Sequence, residues 1–319
     1  MTTDQSTDVA VSPLPHGDTE TESSAVGDSM EENSRLHSST LKVINSSRSK
    51  RAEFILADRM IRYPAMMAIQ EQARWMMYEP SQTRASGRIC CTPPGNGKTS
   101  LADSIAKKYP PTEDGHDICA IKISMEGCRD ARSAYGRIMD QLGSPARISH
   151  RLSDRELIAN RLLCDVRCRL LILDETQDLL MGTTREQQRT LESIKYIMNR
   201  RKLSVMAFGT EEAALALTAD KHLAARFTQC ELPLWKDDHV LRSFLATYER
   251  FLPLRQPSDL AEKSKVDLLL KHSGGVLDLI VKRIQNAALL ALLQGRERVD
   301  LQLLEQGSQR PSECFLDRA

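Results

Sequence analysis

The 319-residue chain is 41% hydrophobic but only 4% aromatic, a composition that permits a sizeable core and suits helices packed with Leu, Ile, Ala and Met better than an all-β fold. Its net charge is +1, but residues 1–35 hold eight acidic residues and one basic, a net of −7, leaving +8 on the rest; this split is compatible with nucleic-acid binding and equally with an ordinary solvated surface. Eight cysteines without a C-x-x-C pair argue against zinc, an acidic polar start argues against a secretory signal, and no apolar run approaches the ~20 residues that span a bilayer, so a cytoplasmic protein with no membrane partner is expected.

In chain order, residues 1–45 are rich in Ser, Thr, Asp and Glu and are expected to form a disordered acidic tail, because they bury too little surface to offset ordering. Residues 52–79 read as helices broken at Pro64 and ended near Pro80. A buried strand at 87–92 leads into a glycine-rich loop and a helix through Lys108. Strands follow at 117–124, 169–175 and 203–210. Between them lie helices at 130–143, at 154–168 with a cap at Ser153 or Asp154, and at 185–201. Strands alternating with helices predict an α/β fold with a parallel sheet. After Trp235 the strand signals fade, and helices are expected at 237–250, 264–273, 277–293 and near Val299. This gives four regions: a tail (1–45), an α/β domain including the N-terminal helices (46–234), an α-helical lid (235–310) and a C-terminal tail (311–319).

The loop "TPPGNGKTS" carries the chemistry. It departs from G-x-x-x-x-G-K-[ST] at its first position, Thr92, where a β-branched residue in extended backbone still permits the turn. Backbone N–H groups around Pro94, Gly95, Asn96 and Gly97, with the helix start at Lys98, Thr99 and Ser100, are expected to cradle the phosphates of ATP. Lys98 would reach the β- and γ-phosphates, and the Thr99 hydroxyl would bind Mg2+. The second half is "LLILDE", an apolar strand ending in two acids. Asp174 is expected to hold Mg2+, and Glu175 to orient or deprotonate the attacking water.

The segments "DRMIRYPAM", "GNGKT", "LLILDETQDLLMGTTREQQ", "VMAFGTEEAALAL", "LAARF", "LPLWKDD" and "LPLRQPSDLA" together resemble the TniB family, AAA+ P-loop ATPases of transposons related to TnsC and to the B protein of phage Mu. The resemblance covers roughly residues 50–305. It implies ATP-dependent self-assembly as rings or filaments on double-stranded DNA, and recruitment of a transposase and a TniQ-type adaptor. Slow hydrolysis would release the assembly. It also implies roles for single residues. Thr210 stands at the sensor 1 position, where a plain helix cap is the alternative. Arg226 matches the arginine that reaches a neighbouring subunit's ATP. Ile61 and Tyr63 match a segment near the adenine, and Gly275 would let backbone approach the nucleotide. The usual sensor 2 arginine is missing: Leu279 stands near its place, with Lys282 and Arg283 a turn late.

For DNA, Arg129 and Arg132 resemble family contacts in position, and the loop with Arg147 and Ser149 is a second candidate; solvated surface is the alternative for each. An Arg in the first turn of a helix runs against the helix dipole, which favours a functional use. Other readings are a helicase loader or replication-initiator relative, a non-hydrolysing scaffold, and a small-molecule kinase. The intact Glu175 argues against the scaffold. The helical lid and Arg226 argue against the kinase.

Overall fold

A computed structural model of the chain describes residues 9–10, 35–79, 85–112, 117–145, 147, 150–219 and 221–311. Most of the expected acidic tail, nearly all of the C-terminal tail and Ser149 lie outside the described residues. The first elements are β1 (Val9–Ala10), α1 (Ser38–Leu41), α2 (Arg48–Leu56), β2 (Ile61–Arg62), α3 (Pro64–Tyr78), β3 (Gly87–Cys91), α4 (Lys98–Lys108), β4 (Cys119–Ser124), α5 (Ala131–Gln141) and α6 (Leu152–Asp165). Then come β5 (Cys168–Asp174), a 3-10 turn (Thr176–Met181), α7 (Thr184–Arg201), β6 (Ser204–Gly209), α8 (Glu211–Ala219), α9 (Lys221–Ala224), β7 (Phe227–Glu231), α10 (His239–Glu249), α11 (Lys263–Ser273), α12 (Leu277–Gln294) and α13 (Leu301–Gln306). They form two compact units, one of residues 65–233 and one joining 1–64 to 234–319.

The larger unit is built on a five-stranded sheet in the order β4-β5-β6-β3-β7, and every pairing in it is parallel. Alternate strand residues face opposite sides. Ile89, Ile121, Leu171, Leu173, Val205 and Ala207 join one core with Tyr135, Ile138, Leu163, Ile194 and Met198 from α5, α6 and α7. Cys90, Ala120, Leu170, Ile172, Met206 and Phe208 alternate with them and are also buried; α4 packs against β4, β5 and β6. Burial on both faces explains the continuous apolar runs. The register aligns Cys91 with Gly209 and Ser124 with Asp174, so the loops after four strands open on one edge of the sheet.

Three features differ from the sequence reading. Strand β7 was not expected; its burial alternates only in part, because Thr228, Gln229 and Glu231 are exposed on this edge strand. Helix α6 starts at Leu152 rather than 154 because Asp154 is not the cap: its Oδ2 accepts from the Arg151 N–H at 2.9 Å, one turn back. Of the N-terminal helices, α1 and α2 group with the helical unit, whereas α3 groups with the sheet unit.

In the helical unit, Leu241, Phe244, Leu245, Leu269, Ile280, Ile284 and Leu303 form the core. Arg51 on α2 is buried there. Its Nε donates to the Pro253 carbonyl at 2.9 Å and an Nη to Glu297 Oε1 at 2.9 Å. Tyr63, Trp235 and Phe244 make a row of tilted rings with centroids 4.7 and 4.9 Å apart. Among the described residues no helix is long and apolar enough to cross a membrane.

Candidate functional site

The loop after β3 turns at Gly95 (φ 79°) and Gly97 (φ 84°), left-handed conformations that glycine adopts without steric cost. Gly97 is the N-cap of α4 and supplies no capping side chain, so the first N–H groups of the helix remain available for an anion. Pro94, Gly95, Thr99 and Ser100 are exposed on the loop's outer side. Lys98 is buried, and its Nζ donates to the carbonyls of Thr92 at 2.6 Å and Pro93 at 3.1 Å. Burial pulls its pKa below the ordinary value, against the pull of the nearby Glu175 and Asp174 carboxylates. The substitution at the first loop position has a use here. The Thr92 hydroxyl accepts from Asn96 Nδ2 at 2.9 Å, and the same Nδ2 lies 3.1 Å from the Leu232 carbonyl, which ties the loop to the chain leaving β7.

Asp174 ends β5 and is 2% exposed. Its Oδ1 accepts from the Glu175 N–H at 3.0 Å, and its Oδ2 lies 3.1 Å from Lys122 Nζ. Glu175 is a non-glycine residue at φ 54°, a cost tolerated where the surroundings demand it. Its carboxylate accepts from the Gln177 side-chain amide. The Thr176 hydroxyl donates to the Phe208 carbonyl at 2.8 Å, fastening this turn to β6. Gly209 is required by that packing, since a Cβ there would meet Ala213 Cβ at 2.9 Å and Gln177 Oε1 at 3.3 Å. Thr210 follows on the same edge of the sheet. Its hydroxyl is engaged with Glu212, whose carboxyl it holds below the ordinary value.

Lys98, Asp174, Glu175 and Thr210 thus lie on loops of one edge, and the residues fit a nucleotide with a divalent cation: glycine-shaped loop, uncapped helix start, buried lysine, paired acids. Arg226 does not join them. It precedes β7, and Phe227 pairs with Gly87 at the start of β3, so a strand of five residues rising about 3.3 Å each separates it from its own loop. Its guanidinium donates to Asn199 Oδ1 at 2.6 Å. Ile61, Tyr63 and Gly275 belong to the helical unit. Ile61 and Tyr63 are buried in its core. Gly275 has φ +81° and a Cβ there would stand 2.4 Å from the Trp235 carbonyl, so packing alone demands glycine. Lys282 pairs with Asp278 at 2.6 Å and Arg283 donates to the Leu304 carbonyl at 2.9 Å, while Leu279 is exposed.

Arg129, Arg132 and Arg147 are all exposed. Arg129 lies on a loop anchored where the Gly127 N–H donates to Asp178 Oδ2 at 2.7 Å, within the 3-10 turn that follows Glu175. Arg155, missed in the sequence, holds the two arginine segments together by donating to the carbonyls of Arg132 at 3.2 Å and Arg147 at 3.1 Å. Lys122 and Gln177 were also missed. A lysine inside the apolar strand "CAIKIS" is the signal that would have found the first.

Comparison with known proteins gives a consistent picture. The family model described as Bacterial TniB protein matches residues 51–237. No curated protein matches. Among solved structures, the Aeropyrum pernix ORC1 protein in complex with DNA superposes with a TM-score of 0.59 at 14% identity, over 80% of this chain and 68% of that one. The Aeropyrum pernix ORC2 protein, in ADPNP and ADP complexes, gives 0.58 at 15% identity, over 76% and 65%. Cdc6p from Pyrobaculum aerophilum gives 0.59 at 14% identity, over 77% and 67%. At these identities the likeness shows the fold alone: a parallel sheet flanked by helices, with further helices toward the C-terminus.

Proposed function

The chain belongs to the bacterial TniB family, and on that premise we propose that it is an ATP-dependent DNA-binding regulator of transposition. It assembles on duplex target DNA and recruits a transposase and a TniQ-type adaptor, and hydrolysis controls disassembly. The observation that carries the reading is the convergence of Lys98, Asp174 and Glu175 on one sheet edge in a chain of this family.

In this reading Lys98 leaves the carbonyls of Thr92 and Pro93 for the β- and γ-phosphates of ATP, and the backbone from Pro94 to Ser100 holds the remaining phosphate oxygens. Thr99 and Asp174 hold Mg2+, which neutralises charge on the phosphates when bound. Glu175 leaves Gln177 and takes a proton from the water that attacks the γ-phosphorus. The bond to the β–γ bridging oxygen breaks, and ADP and phosphate leave. Thr210 orients that water or the γ-phosphate. Arg226, remote from its own loop, acts in the site of a neighbouring copy, which makes hydrolysis depend on assembly. Arg129, Arg132, Arg147 and Ser149 contact DNA phosphates, which are indifferent to sequence. The DNA complex of the ORC1 relative is compatible with this reading at the level of the fold.

The test is fluorescence anisotropy of a labelled duplex with a slowly hydrolysed ATP analogue, with ADP, and without nucleotide. Binding only with the analogue, and capture of the transposase on the DNA-bound protein alone, are expected. Equal DNA binding in all three conditions, or none, contradicts the reading.

A further inference from the structure

Lys122 is a charged residue in β4, an apolar strand at one side of the sheet, next to the strand that ends in Asp174. Its Nζ pairs with Asp103 on α4 and with Asp174 on β5, the latter at 3.1 Å. Asp174 is almost fully buried and the lysine side chain is 18% exposed, while Asp103 is about half exposed. One ammonium therefore bridges two carboxylates that come from different elements. Without it, a buried carboxylate and a half-exposed one would face each other across a gap suited to a cation. Mg2+ and Mn2+ take oxygen ligands of this kind, and Mg2+ gives up its water reluctantly.

We propose that Lys122 is a built-in counter-ion that keeps divalent metal off Asp174 until nucleotide arrives. The proposal rests on the nucleotide-site reading above and adds to it an order of events. In the nucleotide-free protein the ammonium neutralises Asp174 and holds Asp103 beside it, so the pair offers a divalent cation little net charge. The phosphates of ATP bring the missing negative charge and oxygen ligands, so metal enters with ATP and never alone. Lys122 is a positioning residue in this scheme and does not touch the reacting atoms. If the bridge served packing alone, the two carboxylates would part when the lysine is replaced, and the metal affinity of the nucleotide-free protein would stay low.

The experiment is a Mn2+ titration of the full chain without nucleotide, read by electron paramagnetic resonance of the free ion. Wild type is expected to leave Mn2+ free. Lys122→Met is expected to bind it roughly tenfold tighter or more, Lys122→Arg is expected to behave as wild type, and adding Asp103→Asn to Lys122→Met should remove the gain. Lys122→Gln, which keeps donors for both carboxylates without the charge, serves if the Met variant does not fold. No Mn2+ gain in either neutral variant, or wild type that already binds Mn2+ as tightly, overturns the proposal. A parallel titration of wild type with a fluorescent ATP analogue and Mg2+ separates the two readings: absence of nucleotide binding there sinks the nucleotide site itself, whereas the Mn2+ comparison is read without nucleotide.

Discussion

Lys98 and Arg51 are buried to the same degree, 6% and 7% exposed, yet their surroundings are opposites. Arg51, in the helical unit, is committed to fixed partners: the Pro253 carbonyl and the Glu297 carboxylate, which in turn accepts from the Arg255 N–H. Lys98, in the sheet unit, rests on two carbonyls of its own loop, partners that a phosphate oxygen can replace. Glu175 on Gln177 and Asp174 on Lys122 repeat the second pattern. Burial of charge therefore does not mark function by itself; what separates the two regions is whether the partner is structural or exchangeable.

Crossing the two readouts tests the comparison. Lys98→Ala is expected to weaken nucleotide binding by on the order of 100-fold in calorimetric titration, with little change in melting temperature. Glu175→Gln is expected to keep nucleotide and DNA binding while hydrolysis falls by on the order of 100-fold or more, trapping the assembly on DNA. Arg51→Ala should do the reverse of the lysine change: about 2–3 kcal/mol of stability lost in denaturant melts, because Glu297 and the Pro253 carbonyl lose their partner, with nucleotide affinity per folded molecule unchanged. A loss of nucleotide affinity in Arg51→Ala matching that of Lys98→Ala would erase the distinction.

Acid sharpens it further. The bond to Arg51 holds the Glu297 carboxyl below its ordinary value of 4.5, so its contribution is fully present above that pH and is lost as pH falls through the lowered value. The gap in melting temperature between wild type and Glu297→Gln should be constant near neutrality and shrink below about pH 4.5. The smallest effect is expected from Arg132→Ala: a few-fold weaker DNA binding and a salt slope reduced by about one, with ATP affinity unchanged. An equal loss of ATP affinity would remove Arg132 from the DNA assignment.

The order of strands and helices in the sheet unit was legible because buried parallel strands read as apolar runs and the loop glycines punctuate them. Strand β7 was not, since an edge strand with three exposed residues of five carries little apolar signal. The start of α6 was displaced because Asp154 looks like a cap from its spacing but accepts its bond from the preceding turn. In the site, Lys98, Asp174 and Glu175 were legible as local motifs. Lys122 and Arg155 act across elements, whereas Gln177 reaches Glu175 two residues away: only the register that sets Ser124 beside Asp174 reveals that Lys122 reaches the acid. Gly275 was legible as a glycine requirement, but its close approach is to Trp235 within the helical unit.

The most direct test of the account is electron microscopy of the purified chain with duplex DNA, with and without a slowly hydrolysed ATP analogue. Rings or filaments on DNA that appear only with the analogue, and disappear in Lys98→Ala, are the predicted result. Isolated particles off the DNA in every condition would contradict nucleotide-dependent assembly and, with it, the roles given to Arg129, Arg132 and Arg226.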